Sequence, residues 1–170
     1  MKNKNIVLTG FMGTGKTTAG KIIAGELSME FIDTDKEIEK RAEESIQELF
    51  EHYGEEYFRD LEEEIVEAVS SRENAVIATG GGVILRDKNV KHLKKNGVIF
   101  LLTADFQEIL KRLDNCNTRP LLKKGKDELL KLMEMRNERY IKTADFIVET
   151  TGKTPFYVAR EIIDIFKRIV

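Results

Sequence analysis

A disulfide framework is excluded at once, because Cys116 is the only cysteine; a lone thiol forms no internal bridge and fits a reducing compartment. No apolar run approaches the length of a membrane span, and the short run Ile6–Leu8 near the start is too brief for the core of a secretory signal. Charge of one sign is not in excess either. The 28 basic side chains face 30 acidic ones, which argues against general nucleic-acid binding, so any anionic ligand has to be held by local arrangement. Internal repeats, low-complexity tracts and a dividing linker are also missing. What is present is 41% hydrophobic and 34% charged residues, the balance of a folded globular chain. The expectation is one cytoplasmic domain spanning 1–170, with no nucleic-acid or membrane partner and with monomer as the default.

Short β-branched runs alternate with longer charged segments. "NIVLTG" (5–10), "EFIDT" (30–34), "AVIATG" (75–80), "GVIFLLT" (97–103) and "DFIVET" (145–150) read as strands. Their nearly continuous apolar character suits a parallel sheet covered on both faces. Helices are expected at 16–27, 36–44, 46–71 with a break at Gly54, 87–95, 105–114, 127–142 and 155–168. Ser45 with Glu48 forms a capping box, and Thr154 before Pro155 reads as an N-cap with proline at the first helical position. This alternation points to a doubly wound α/β sheet, in which ligands lie at the carboxyl ends of the strands. The stretch 115–126, "NCNTRPLLKKGK", holds the other proline and a cluster of cations, and reads as a mobile loop.

Directly after the first strand comes "GFMGTGKTT", Gly10 to Thr18. Gly10, Gly15, Lys16 and Thr17 satisfy G-x-x-x-x-G-K-[ST]. Glycines let backbone N–H groups turn inward around a phosphate, and the next helix offers its positive end to the same anion. The lysine reaches the β and γ phosphates, while the threonine hydroxyl can ligate Mg²⁺. A GTPase would add D-x-x-G and N-K-x-D, and neither occurs. A small-molecule kinase fits better.

Asp33 and Asp35 stand where the second strand gives out. If both remain on the strand, they project to one side; one carboxylate could then face a metal ion and the other an acceptor hydroxyl. A purely structural reading makes Asp33 a helix cap and Asp35 a first-turn acid. Gly80, Gly81 and Gly82 end the third strand, where a plain turn needs fewer glycines, so close approach by a ligand competes with a simple flexible turn. Arg59 lies in an acidic helix, where ion pairs with Glu55 and Glu63 would account for it equally well. Arg136 and Arg139 lie a turn apart, and Arg119 precedes Pro120. Arginine suits a carboxylate because its planar fork binds it bidentately.

"GFMGTGKTT", "DTD", "FRDLEE", "GGGVILR", "TRPLL" and the pattern of Arg136, Tyr140 and Ala144 occur in order along nearly the whole chain. In this combination the sequence resembles the shikimate kinases, P-loop enzymes that phosphorylate the 3-hydroxyl of shikimate on the route to chorismate and the aromatic amino acids. The resemblance implies a three-layer α/β/α fold with a five-stranded parallel sheet of order 2-3-1-4-5. It implies ATP and shikimate as substrates and Mg²⁺ as cofactor. Gly13, Thr14, Gly15, Lys16, Thr17 and Thr18 would wrap the ATP phosphates, with Thr17 and Asp33 near the metal. Asp35 would contact the acceptor hydroxyls as catalytic base, beside Lys16 and Arg119 as the other catalytic groups. Arg59 and Arg136 would clamp the shikimate carboxylate, with Gly80, Gly81 and Gly82 on the far side. A substrate-binding helical region at about 33–61 and a lid at about 113–126 would close the site, the lid bringing Arg119 onto ATP. Arg112 and Lys153 would lie beside the adenine.

One departure matters: members of the family often carry proline between the arginine and the tyrosine, whereas this chain reads Arg136-Asn137-Glu138-Arg139-Tyr140. Arg139 is therefore extra, and spacing to Tyr140 favours Arg136 as the substrate contact. His52 and His92, in charged helical stretches, read as solvated surface residues. The alternatives are a P-loop kinase for another acceptor, such as gluconate or a nucleoside monophosphate, and a nucleotide-binding module without catalysis.

Overall fold

The apolar run Asn5–Thr9 forms β1, and every residue of it is buried. In the computed structural model, which describes residues 4–115 and 125–170, strands and helices follow one another almost strictly. After β1 come α1 (Lys16–Leu27), β2 (Glu30–Asp33), α2 (Thr34–Ala42), α3 (Ile46–Ser70) and β3 (Ala75–Ala78). A short 3-10 turn (Val83–Leu85) leads to α4 (Asp87–Asn96) and β4 (Gly97–Thr103). Then follow α5 (Phe106–Asp114), α6 (Lys126–Thr143), β5 (Phe146–Glu149) and α7 (Pro155–Ile169). All strand pairs are parallel and the order is β2-β3-β1-β4-β5, as the family resemblance implies.

Both faces of the sheet are covered, which explains why the strands carry no polar alternation. Ile6, Leu8, Phe100 and Leu102 pack against Ile23 of α1 and Val158, Ile162 and Phe166 of α7. The intervening residues Val7, Ile77 and Ile99 turn to the opposite face, onto Val66 and Val69 of α3 and Leu93 of α4. Full burial of each such side chain contributes about 1.5–3 kcal/mol. A further cluster joins Phe11 and Leu101 to Ile109 and Leu113 of α5 and to Leu129 and Tyr140 of α6. Among the described residues no helix is long and apolar enough to cross a membrane.

The caps form as the sequence suggests. Ser45 and Glu48 make both halves of the capping box, and the Thr154 hydroxyl accepts from Tyr157 N with Pro155 in the first turn. Gly54 breaks the helical path of α3 with φ 84° and ψ 175°, a conformation that side chains with a Cβ avoid.

One expectation needs correction. The chain leaves β2 at Asp33, so Asp35 is a first-turn residue of α2 and does not share a strand face with it. Asp33 causes this, because its Oδ1 accepts from Asp35 N at 3.0 Å and Lys36 N at 3.4 Å. Two orphan helical donors are thereby satisfied, and α2 starts earlier than residue 36.

Candidate active site

β1 ends on a loop that has to reverse tightly into α1, and the glycines make the reversal possible. Gly13 (φ 78°) and Gly15 (φ 93°) occupy the left-handed region, where a Cβ is disfavoured. Thr14 is buried, and its hydroxyl donates to Phe11 O at 2.8 Å. Its side chain thus braces the loop from inside and contributes no hydroxyl to the hollow. Lys16 Nζ arches back to donate to Gly10 O at 2.7 Å and Phe11 O at 2.9 Å. The ammonium stands over the loop, while Thr17 and Thr18 lie exposed in the first turn of α1.

Thr17 links this loop to the second strand. Its Oγ1 donates to Asp33 Oδ2 at 3.1 Å, while the other Asp33 oxygen caps α2. The helix-cap reading of Asp33 holds, and the same carboxylate also ties the helix to the loop. Next in the chain, the buried Thr34 accepts from Gly80 N at 2.9 Å. The Gly80 N–H is accordingly committed within the protein.

The three glycines are crowded. A methyl group on Gly80 would collide with Asp35 Oδ1, and one on Gly82 with the Arg59 guanidinium. On Gly81 it would lie 3.3 Å from Arg136 Nη1, 3.4 Å from the Tyr140 hydroxyl and 3.9 Å from Gly10 O. Asp35, Arg59, Arg136 and Tyr140 thus converge on one short backbone segment that borders the phosphate loop. Gly82 has φ −96°, so space and not backbone strain demands glycine there.

Arg59 pairs with Glu62 at 2.7 Å and with Glu55 at 3.6 Å. Of its expected partners Glu55 is found, but Glu63 turns instead to Arg86 and Lys88. Glu62 is only 1% exposed. Burial raises its carboxyl pKa above the ordinary value, with Asp35 adding to the rise, while Arg59 and Arg136 oppose it. Its inward position follows from helix phase, since Phe58, Glu62 and Val66 recur at four-residue spacing on the buried stripe.

Arg136 projects from α6 beside Tyr140. The Tyr140 hydroxyl donates to Gly81 O at 2.5 Å, and burial above all pushes its pKa up to about 12. The phenol therefore remains a donor across the physiological range. Tyr140→Phe should leave a carbonyl unpaired, lowering stability by about 1–2 kcal/mol. The pH dependence carries a definite sign. A phenol raised from 10.0 to about 12 adds stability in full below pH 10, and this is lost as pH climbs toward 12 because the unfolded chain ionises first. Thermal unfolding of wild type and Tyr140→Phe should therefore converge between about pH 10 and 12; a constant gap over that range would show that the phenol does not titrate this way.

Arg139 does not enter the group. Its Nε donates to Ile84 O at 2.7 Å and its Nη2 pairs with Asp87. On the other side of the loop, Arg112 donates to Gly13 O at 3.1 Å, Thr150 Oγ1 at 3.0 Å and Thr150 O at 2.9 Å. Lys153 N also reaches Thr150 O, at 3.1 Å, and its Nζ pairs with Glu161 at 2.8 Å and lies 5.7 Å from the Tyr157 ring centroid. Arg112 and Lys153 thus meet at the end of β5. His52, exposed, contacts Glu44 at 3.1 Å, away from this centre. Residues 116–124, with Cys116, Arg119 and most of the expected lid, lie outside the described residues.

A parallel sheet of this order, with the glycine loop between β1 and α1 at its carboxyl edge, defines a P-loop nucleotide-binding protein. The family model described as "Shikimate kinase" matches residues 12–167. A shikimate kinase from Caldicellulosiruptor bescii is 51% identical, with 95% of each chain covered. One from Thermodesulfovibrio yellowstonii is 47% identical over 98% of this chain and 96% of its own. Among solved structures, shikimate kinase from Acinetobacter baumannii in complex with shikimate has a TM-score of 0.91 at 34% identity, covering 97% of this chain and 93% of that one. The enzyme from Aquifex aeolicus has a TM-score of 0.84 at 38% identity, with 96% of each chain covered. The chain belongs to the shikimate kinase family.

Proposed function

We infer that this chain transfers the γ-phosphoryl group of ATP to the 3-hydroxyl of shikimate, releasing ADP and shikimate 3-phosphate. The observation that carries this reading is the convergence of Asp35, Arg59 and Arg136 on Gly80–Gly82 beside the phosphate loop. Two guanidiniums suit one carboxylate, and Asp35 next to them suits a vicinal hydroxyl. A neutral acceptor would use only half of such a site.

The loop N–H groups of residues 13–18 and Lys16 hold the phosphates, whose oxygens would take over the ammonium from the carbonyls of Gly10 and Phe11. Arg59 and Arg136 fix the acid, which orients its ring. Asp35 accepts the hydroxyl proton as the new oxygen–phosphorus bond forms and the bond to the β,γ-bridging oxygen breaks. Because the transition state is loose, placement and charge neutralisation matter more than base strength. Arg112 and Lys153 frame the base of the nucleotide, and Arg119 is assigned to the phosphates through the lid.

Thr17 and Asp33 present a hydroxyl and a carboxylate within 3.1 Å of each other, hard oxygen donors of the kind Mg²⁺ takes. When bound, Mg²⁺ supplies neutralisation of the phosphate charge. We place the enzyme in the cytoplasm, as one domain over residues 1–170 and as a monomer, on the lone thiol and the balanced charge.

A coupled ADP-release assay with Mg²⁺-ATP tests the reading, comparing shikimate with gluconate and nucleoside monophosphates. Release is expected with shikimate. Silence with shikimate beside activity with another acceptor would leave the nucleotide site standing and remove the carboxylate clamp.

A further inference from the structure

The segment Gly80–Asp87 runs from the end of β3 into the first turn of α4, and polar contacts hold it along its length. Thr34 takes the N–H of Gly80, Tyr140 the carbonyl of Gly81, and Asn89 the carbonyl of Val83 at 2.9 Å. Two arginines then tie it in opposite directions. Arg139 reaches it from α6, through Ile84 O and Asp87. Arg86 leaves it for α3, where Nη1 meets Asp60 at 2.7 Å and Glu63 at 3.1 Å, and Nη2 meets Glu56 at 2.9 Å. Lys88 adds a second cation to Glu63 at 2.7 Å.

The placement of these ties is informative. Glu56, Asp60 and Glu63 follow one another at four- and three-residue spacing, so they form a single row along one face of α3. Arg59 stands directly beside that row, immediately before Asp60, and Arg139 lies one turn from Arg136 on α6. Each helix that bears a carboxylate-binding arginine is thus pinned to the same segment within about a turn of that arginine. The pins do not themselves converge on the glycines: Arg86 spends its donors on α3 and Arg139 on Ile84 and Asp87.

We propose that Arg86, acting with Arg139, is a positioning residue that sets the separation and rotational phase of Arg59 and Arg136 across the substrate carboxylate. The inference rests on the functional reading given above and adds to it a residue outside the binding group. An isolated surface ion pair does little, since side-chain ordering offsets its Coulomb gain. One guanidinium forked to three carboxylates on successive turns differs, because rolling α3 about its axis breaks all three contacts together. A roll also swings Arg59 and Glu62. Misplacing a binding group by a fraction of its contact distance has a large kinetic effect even when the cause is remote.

The test is steady-state kinetics on purified full-length protein, with Arg86→Ala, Arg86→Lys, the double variant Asp60→Ala/Glu63→Ala, and Arg72→Ala as a control that removes an exposed arginine elsewhere. Arg86→Ala should raise the KM for shikimate by about five- to twentyfold, with the KM for ATP within about twofold of wild type. Arg86→Lys should recover part of the loss, because one point charge can satisfy only one of the three carboxylates. The α3 double variant should raise the shikimate KM in the same sense, and adding Arg86→Ala to it should add little. Arg72→Ala should leave both constants unchanged. A flat shikimate KM in Arg86→Ala, or an equal rise in both KM values that follows a fall in melting temperature, would overturn the proposal while the functional reading stands. A wild-type protein inert toward shikimate would overturn both.

Discussion

Replacing Asp35 by asparagine is expected to lower turnover with shikimate by roughly 10²–10³-fold, in the lower part of the ~10²–10⁴-fold range that a positioned proton acceptor contributes. ATP affinity should stay near wild type. The substitution keeps the volume against Gly80 and leaves the backbone N–H of residue 35 available to cap through Asp33. On the proposed mechanism it removes the negative charge that would draw the acceptor hydroxyl and its proton. A fluorescence titration for the nucleotide, run beside the ADP-release assay, separates the two effects. Unchanged turnover would dismiss Asp35 as the base and leave placement of the acceptor to the glycine backbone and the arginines.

Arg136→Ala should weaken shikimate binding by about 2–4 kcal/mol, because a charge-assisted bidentate partner is lost and the carboxylate is left in a desolvated site. Calorimetric titration reads this directly. Two details sharpen the expectation. Arg136 also contacts Tyr140 and helps to offset the buried Glu62, so its removal leaves that corner more negative, toward an anionic ligand in particular. Arg139 is held by Ile84 O and Asp87 and is not free to swing in as a replacement. Equal affinity in Arg136→Ala would require that it does so.

Much of the architecture was legible in the residues. The strands announce themselves through unbroken apolar runs, because residues such as Ile6 and Val7 serve opposite faces that are both buried. The phosphate loop is legible because its chemistry prescribes residue types and spacing together. Side-chain direction on the helices was harder to read. In "LEEE" three glutamates look alike, and only the phase set by Phe58 and Val66 turns Glu62 inward while Glu63 faces Arg86. Arg136 and Arg139 lie a turn apart, and there the spacing to Tyr140 does favour the right one: Arg136 lies with Tyr140 against Gly81, while Arg139 turns to Ile84 O and Asp87. Asp35 misled in another way. The period of a strand was carried two residues too far, past an aspartate whose own side chain starts the helix.

The crowding around Gly80 and Gly82 has a consequence for how such sequences drift. Each glycine marks a place where an added methyl group would displace a neighbouring side chain. The constraint comes from side chains far away in the chain, Asp35 in one case and Arg59, held by Glu62, in the other. Positions 35 and 80, and likewise 59 and 82, are therefore two coupled pairs. Enlarging one member of a pair moves the other, and with it the side chain that reaches the glycine segment.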